Sequence, residues 1–133
     1  MSDIDEDPQP NGTLTLQTLT MPADTNPNGD IFGGWLMSQM DLAGAILAQE
    51  YAQGRVTTVA VGGMTFLRPV PVGATVSCYA EALETGRSSI RTLVEVWVKS
   101  PTGKAIEKVT EGEFVFVAID NNGRTRPLKK GTQ

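Results

Sequence analysis

The sequence predicts an α+β domain in which a long antiparallel sheet wraps around one buried central helix. Three observations carry this. A nearly continuous apolar stretch of helical character runs from about Gly34 to Tyr51. From Arg55 onward, apolar residues recur at every second position in successive segments. The order is one strand, one helix, then four or so strands, so the sheet has a single helix to curl around.

Each element has its own signal. Residues 13–20, TLTLQTLT, alternate polar and apolar as a half-buried strand does. Residues 22–34 hold Pro22, Asn26, Pro27, Asn28 and the pair Gly33-Gly34, which makes a loop. The helix lacks a polar stripe: Trp35, Leu36, Met37, Met40, Leu42, Ala43, Ile46 and Leu47 point in most directions. A helix apolar all round is expected to be buried all round. Residues 55–70, RVTTVAVGGMTFLRPV, read as one strand or a bent strand with Gly62-Gly63 as a bulge or kink. ATVSCYAEALE follows, then a tight turn at Thr85-Gly86. SSIRTLVEVWVKS sets Ile90, Thr92, Val94, Val96 and Val98 on one face. A PTGK turn leads into AIEKVTEGEFVFVAID, with Phe114 and Phe116 on one face. The sheet's second face is left to solvent or to a second copy, so a dimer at least is expected.

At 133 residues, 40% of them hydrophobic, the chain makes one domain. Its expected bounds are a disordered acidic tail over 1–12, the folded domain over 13–126 and a basic tail over 127–133. Asp3, Asp5, Glu6 and Asp7 account for the net charge of −4, leaving a formally neutral body with no electrostatic footprint for nucleic acid. The apolar stretch is interrupted by Ser38, Gln39 and Asp41 and is too short to span a bilayer, so no membrane association is expected. No basic and apolar leader opens the chain. With one cysteine, Cys78, no internal disulfide forms, and a cytoplasmic location is expected. Cys78 itself reads as a small apolar strand residue.

The chain has no histidine. That removes Ser-His-Asp and Cys-His nucleophilic catalysis and any metal site that needs imidazole. No metal and no cofactor is expected. Acid–base chemistry falls to carboxylates, Tyr51, Tyr79 or a lysine.

The unusual carboxylate is Asp41, set among Met40, Leu42, Ala43 and Ala45. A buried acid is costly unless paired, so Asp41 is either a functional acid or a carboxylate hydrogen-bonded to backbone or a threonine. Gly33-Gly34 has two readings as well. A helix start without side chains leaves free N–H groups that suit a carbonyl oxygen becoming an oxyanion, or it merely allows a tight entry against the sheet. Asp24 and Asp30 stand among turn formers, where Asp bonds its own backbone. Thr57 and Thr58 open the strand after the helix, with no signal that decides their role. Asp41 lies seven residues beyond Gly34, about 10.5 Å along a helix at about 1.5 Å per residue. If both act on one carbonyl, they come from different chains.

Four motifs in order, MPADTNPNGDIFGGWLMSQMDLAGAILA, MTFLRPVPVG, GRSSI with VEVWVK, and FVFVAIDNNGR, resemble the YciA-type acyl-CoA thioesterases of the hotdog fold over about Leu14 to Arg126. The resemblance implies a hotdog subunit, a dimer with a continuous sheet, commonly a trimer of dimers, and hydrolysis of acyl-CoA to free acid and CoA. It puts the family's catalytic carboxylate on Asp41, its loop asparagine on Asn26 and its helix-opening glycines on Gly33 and Gly34. It turns the GRSS stretch, Arg87, Ser88 and Ser89, towards the CoA phosphates, with Arg68 and the basic residues Arg124, Arg126, Lys129 and Lys130 as further candidates. Trp35, Met37 and Met40 read as core or as an acyl channel. Gly62, where the family carries an acidic residue, and Glu111-Gly112-Glu113 depart from the pattern. In the expected mechanism Asp41 activates water as general base or attacks directly to give an anhydride, Gly34 N–H holds the oxyanion, and Asn26 orients water or carbonyl. A non-hydrolytic acyl-CoA-binding regulatory module is the alternative, but a pure binder needs neither Asp41 nor Asn26. A dehydratase of this fold resembles a site of His plus carboxylate, which this chain cannot build.

Overall fold

The computed structural model describes residues 8–128. The acidic residues 1–7, and Lys129 and Lys130 with the rest of 129–133, lie outside them. The elements are β1 (Thr13–Leu19), α1 (Gly33–Ala52), β2 (Val56–Val61), β3 (Thr75–Thr85), β4 (Ser89–Lys99) and β5 (Glu107–Ala118), with one 3₁₀ turn at Pro22–Asp24. The strands form one antiparallel sheet in the order β1-β3-β4-β5-β2.

The period-two pattern sets the core. Ile90, Thr92, Val94, Val96 and Val98 are all buried, and across the β4–β5 ladder Thr92 and Ile90 pair with Phe114 and Phe116. Thr92 Oγ1 satisfies its buried hydroxyl on Phe114 O at 2.9 Å. Leu36, Met40, Ala43, Leu47 and Ala48 of α1 cover this face. The helix lies this close because Gly44 has no side chain: a Cβ there would sit 2.9 Å from the Phe116 ring. Cys78 is part of the core, and burial pushes its thiol up to about 12, so it stays protonated and inert at neutral pH.

Three expectations are corrected. The strand expected over 55–70 ends at Val61. Gly62 N–H still bonds Glu113 O at 2.8 Å, and the chain then runs on beside β5 as an irregular segment, with Thr65 O accepting Thr110 Oγ1 at 2.8 Å. Leu67 N–H still donates to Val109 O of β5 at 2.8 Å, and Pro69 and Pro71, which carry no N–H, end the contact there. The bulge falls within β2, between Thr58 and Ala60.

The helix is not buried all round. Met37, Leu42 and Ile46 are exposed, Leu42 by 54%. The sheet covers one side, and among the described residues nothing covers these side chains on the other. Beside this stripe, β2 is an edge strand that exposes Val59 and Val61.

Residues 8–11, expected in the acidic tail, run beside a buried acid on the sheet's other face. Glu95 is 1% exposed. Its oxygens accept Asn11 N–H (3.2 Å), Asn11 Nδ2 (3.0 Å) and Trp97 Nε1 (2.8 Å), with Lys108 Nζ at 3.8 Å. Full pairing is what makes an ionised group tolerable there.

Candidate active site

The loop before α1 is organised by Asn26. Its Oδ1 accepts the N–H groups of Asn28 (2.9 Å) and Asp30 (3.1 Å), and its own N–H donates to Asp30 O at 2.7 Å. This leaves Asn26 Nδ2 as a free donor among the described residues. Asp24 caps the 3₁₀ turn through Met21 N–H (3.0 Å), the structural use expected of it. Asp30 is bonded through its backbone, not its carboxylate.

The helix opens after Phe32, whose carbonyl accepts Trp35 and Leu36 N–H. The N–H groups of Gly33 and Gly34 have no protein acceptor among the described residues. Gly33 is confined by the Phe66 ring, 3.3 Å from an added Cβ. Gly34 is not: its nearest neighbour would be the Phe32 ring at an ordinary 3.6 Å. Glycine at 34 therefore answers no packing demand of this chain and leaves its N–H open to a ligand.

Asp41 is half-buried, and Thr58 Oγ1 of β2 donates to its Oδ1 at 2.6 Å. Of the two readings of this acid, the threonine-bonded one is met in full. It does not exclude function, because Oδ2 keeps no partner among the described residues and can accept a proton. Seven residues are nearly two helical turns, so Gly34 and Asp41 share one face of α1, the stripe with Met37, Leu42 and Ile46. The open amides and the free carboxylate oxygen both border the uncovered side of the molecule.

Asn26, Gly33 and Arg68 meet at one cleft of about 400 Å³, with Leu36 and Phe66 in its walls. Arg68 Nη1 pairs with exposed Glu107 at 3.1 Å. Arg87, Ser88 and Ser89 are elsewhere. They cap the β3–β4 hairpin at the end where α1 finishes: Ser89 pairs with Val117, and Ser88 O accepts Ala118 N–H at 2.9 Å. A 20-residue helix puts that end about 30 Å from Gly33 of the same chain. Arg126 is not a free cation either. Its guanidinium caps the helix on Ala52 O at 2.9 Å, and its Nε bonds Ile119 O at 3.1 Å. Arg124 is exposed. Among the described residues no cluster of three acidic, Cys or His side chains is placed to hold a metal, and no helix is long and apolar enough to cross a membrane.

Residues 28–105 match the family model of the thioesterase superfamily. The chain is 58% identical over 122 residues to the acyl-CoA thioester hydrolase YciA of Escherichia coli K12, covering 90% of this chain and 92% of that one. The chain belongs to the YciA-type thioesterases. Its fold is the hotdog: five antiparallel strands on one helix. The hexameric broad specificity acyl-coenzyme A thioesterase HI0827 superposes with a TM-score of 0.89 at 56% identity, covering 95% of this chain and 88% of that one. The acyl-CoA hydrolase of Staphylococcus aureus is 26% identical, with a TM-score of 0.78 over 85% of this chain and 69% of that one. In that protein a threonine and an aspartate were each replaced by alanine, at positions as far apart, 17 residues, as Thr58 and Asp41 in this thioesterase.

Thr58 is the site residue that sequence left undecided. Val56 and Thr58 share the inward parity of β2, so Thr58 is the polar residue facing the acid of the helix.

Proposed function

We propose that this thioesterase hydrolyses acyl-CoA thioesters to free carboxylic acid and CoA, at sites shared between two protomers of a cytoplasmic homo-oligomer. The observation that carries the reading is the Thr58–Asp41 hydrogen bond on the uncovered stripe of α1. It orients a carboxylate whose second oxygen faces the side where a partner binds. The free edge of β2 pairs with the partner's β2 to continue the sheet, and the exposed Met37, Leu42 and Ile46 pack against its helix. Hexameric relatives support a trimer of such dimers.

At each site one protomer supplies Asn26, Gly33 and Gly34, and its partner supplies Asp41. Asp41 Oδ2 takes a proton from water as the water oxygen attacks the thioester carbon. The N–H of Gly34 holds the resulting oxyanion, and Asn26 Nδ2 orients the carbonyl or the water. Collapse breaks the C–S bond, and the departing CoA sulfur takes the proton back from Asp41. Arg68 faces the CoA from the cleft it shares with Asn26. Arg87, Ser88 and Ser89 reach it from the partner.

The test is thiol release from acyl-CoAs of graded chain length by the wild-type protein. Release of one thiol per acid formed is expected. No release from any acyl-CoA, with CoA still bound, would make the protein a non-hydrolytic acyl-CoA-binding module.

A further inference from the structure

Helix α1 starts without the usual supports. Its N-cap, Phe32, makes no side-chain capping hydrogen bond, and its first two residues are Gly33 and Gly34. Glycine carries the largest backbone entropy cost of any residue in a helix, so a first turn built this way tends to fray. What rests on it instead is the Phe66 ring. A Cβ on Gly33 would lie 3.3 and 3.4 Å from two ring carbons and 4.0 Å from a third, so the ring fills the space a side chain at 33 would take. Gly33 has no positive φ, so it is the ring, and not backbone conformation, that calls for glycine there.

The segment that carries Phe66 is pinned on both sides of it. Thr65 O accepts the buried Thr110 hydroxyl at 2.8 Å, and Leu67 N–H donates to Val109 O at 2.8 Å. Just before it, the Met64 side chain enters the gap left by Gly112. A Cβ there would meet Met64 Cε at 2.7 Å and Met40 Cε at 3.6 Å. β5 and the middle of α1 therefore set where the ring stands. The residue remains 39% exposed and lines the cleft of about 400 Å³ with Asn26 and Gly33. A donor that receives developing charge acts best when it is already held in place before the reaction. We propose that Phe66 is a positioning residue for the thioester carbonyl. By standing in for a side chain at 33, it holds the uncapped first turn of α1, and with it the Gly34 N–H, in the orientation that receives the carbonyl oxygen. The proposal rests on the thioesterase reading and names what keeps its oxyanion donor in place.

The test follows thiol release and ligand binding in wild type, Phe66→Ala, Phe66→Leu, Gly33→Ala and the Gly33→Ala/Phe66→Ala double variant. Phe66→Ala is expected to lower kcat by about tenfold with KM for acyl-CoA little changed. Phe66→Leu, which still fills part of the space, should keep most of kcat. Alanine at 33 meets the ring in the wild-type background and has room in the Phe66→Ala background, so it should cost less kcat there. Losses that simply multiply would overturn the proposal. Calorimetry reads the same turn without hydrolysis, in Asp41→Asn protein. Phe66→Ala is expected to weaken binding of an acyl-CoA analogue with a ketone in place of the thioester by about fivefold. Free CoA, which ends at the thiol and has no acyl carbonyl, should bind as before. This comparison stands even if the wild type releases no thiol, a result that would sink the hydrolytic reading alone. Equal weakening of both ligands, or an unchanged kcat in Phe66→Ala, would also overturn the proposal.

Discussion

Asp41→Asn is expected to lower kcat for acyl-CoA hydrolysis by about 10²–10⁴-fold while leaving the thermal melt and CoA binding close to wild type. Asparagine keeps the shape and still accepts the Thr58 hydroxyl, but it cannot take a proton from water. The companion change Thr58→Val removes one hydrogen bond and leaves the acid in place, so a smaller loss is expected, about tenfold in kcat. Steady-state thiol release on the three proteins orders them. If Asp41→Asn kept wild-type kcat, Asp41 would be a structural carboxylate tied to Thr58 and the base would have to be sought elsewhere.

The second large effect concerns stability and lies on the opposite face of the sheet. Glu95→Ala leaves the Trp97 indole N–H without its acceptor, Asn11 without its anchor and Lys108 without one of its two carboxylates. Breaking a buried charged network in this way costs about 3 kcal/mol. For a chain of this length that corresponds to a fall in Tm of about 10 °C. Glu113→Ala is the control. Glu113 sits on the same face of the sheet in an exposed, solvent-screened pair with Arg91, 3.0 Å away, so its loss is expected to leave the melt nearly unchanged. Equal melting shifts for the two variants would contradict the assignment of Glu95 as a buried anchor.

These two acids show what was legible in the sequence. Asp41 stood out because it interrupts an apolar helix, and a local pattern is enough to see that. Glu95 alternates correctly with Val94 and Val96, so its parity reads as a solvated face. What covers it is Asn11, 84 residues away, and no local signal encodes a contact of that range. The strands of the core were readable for the same reason as Asp41: Ile90 to Val98 and the Phe114–Phe116 pair state their inward face by period two. The helix was readable as apolar but not as covered. Composition cannot say whether Leu42 and Ile46 meet the chain's own sheet or a second chain. Arg126 read as a further candidate for the CoA phosphates because the fold, not the sequence, returns it to Ala52 at the end of α1. The GRSS turn was turned towards the CoA phosphates by the resemblance, which carries no information on where the turn lies. That it lies at the opposite end of the sheet from Gly33 is a fact of topology.

That separation, together with the distance of Asp41 from Gly34 along one helix, makes the shared site the central claim. It is tested most directly by co-purified oligomers that combine an Asp41→Asn chain with an Asn26→Ala chain. Each variant alone is expected to be nearly inactive. In a mixed dimer, one site pairs the intact Asn26 of one chain with the intact Asp41 of the other, and the second site carries both defects. Recovery of about half the wild-type activity per mixed dimer is the predicted result. Mixed dimers no more active than the two parents would contradict it, because every site then keeps one defect, as it does when Asn26 and Asp41 of the same chain serve one site.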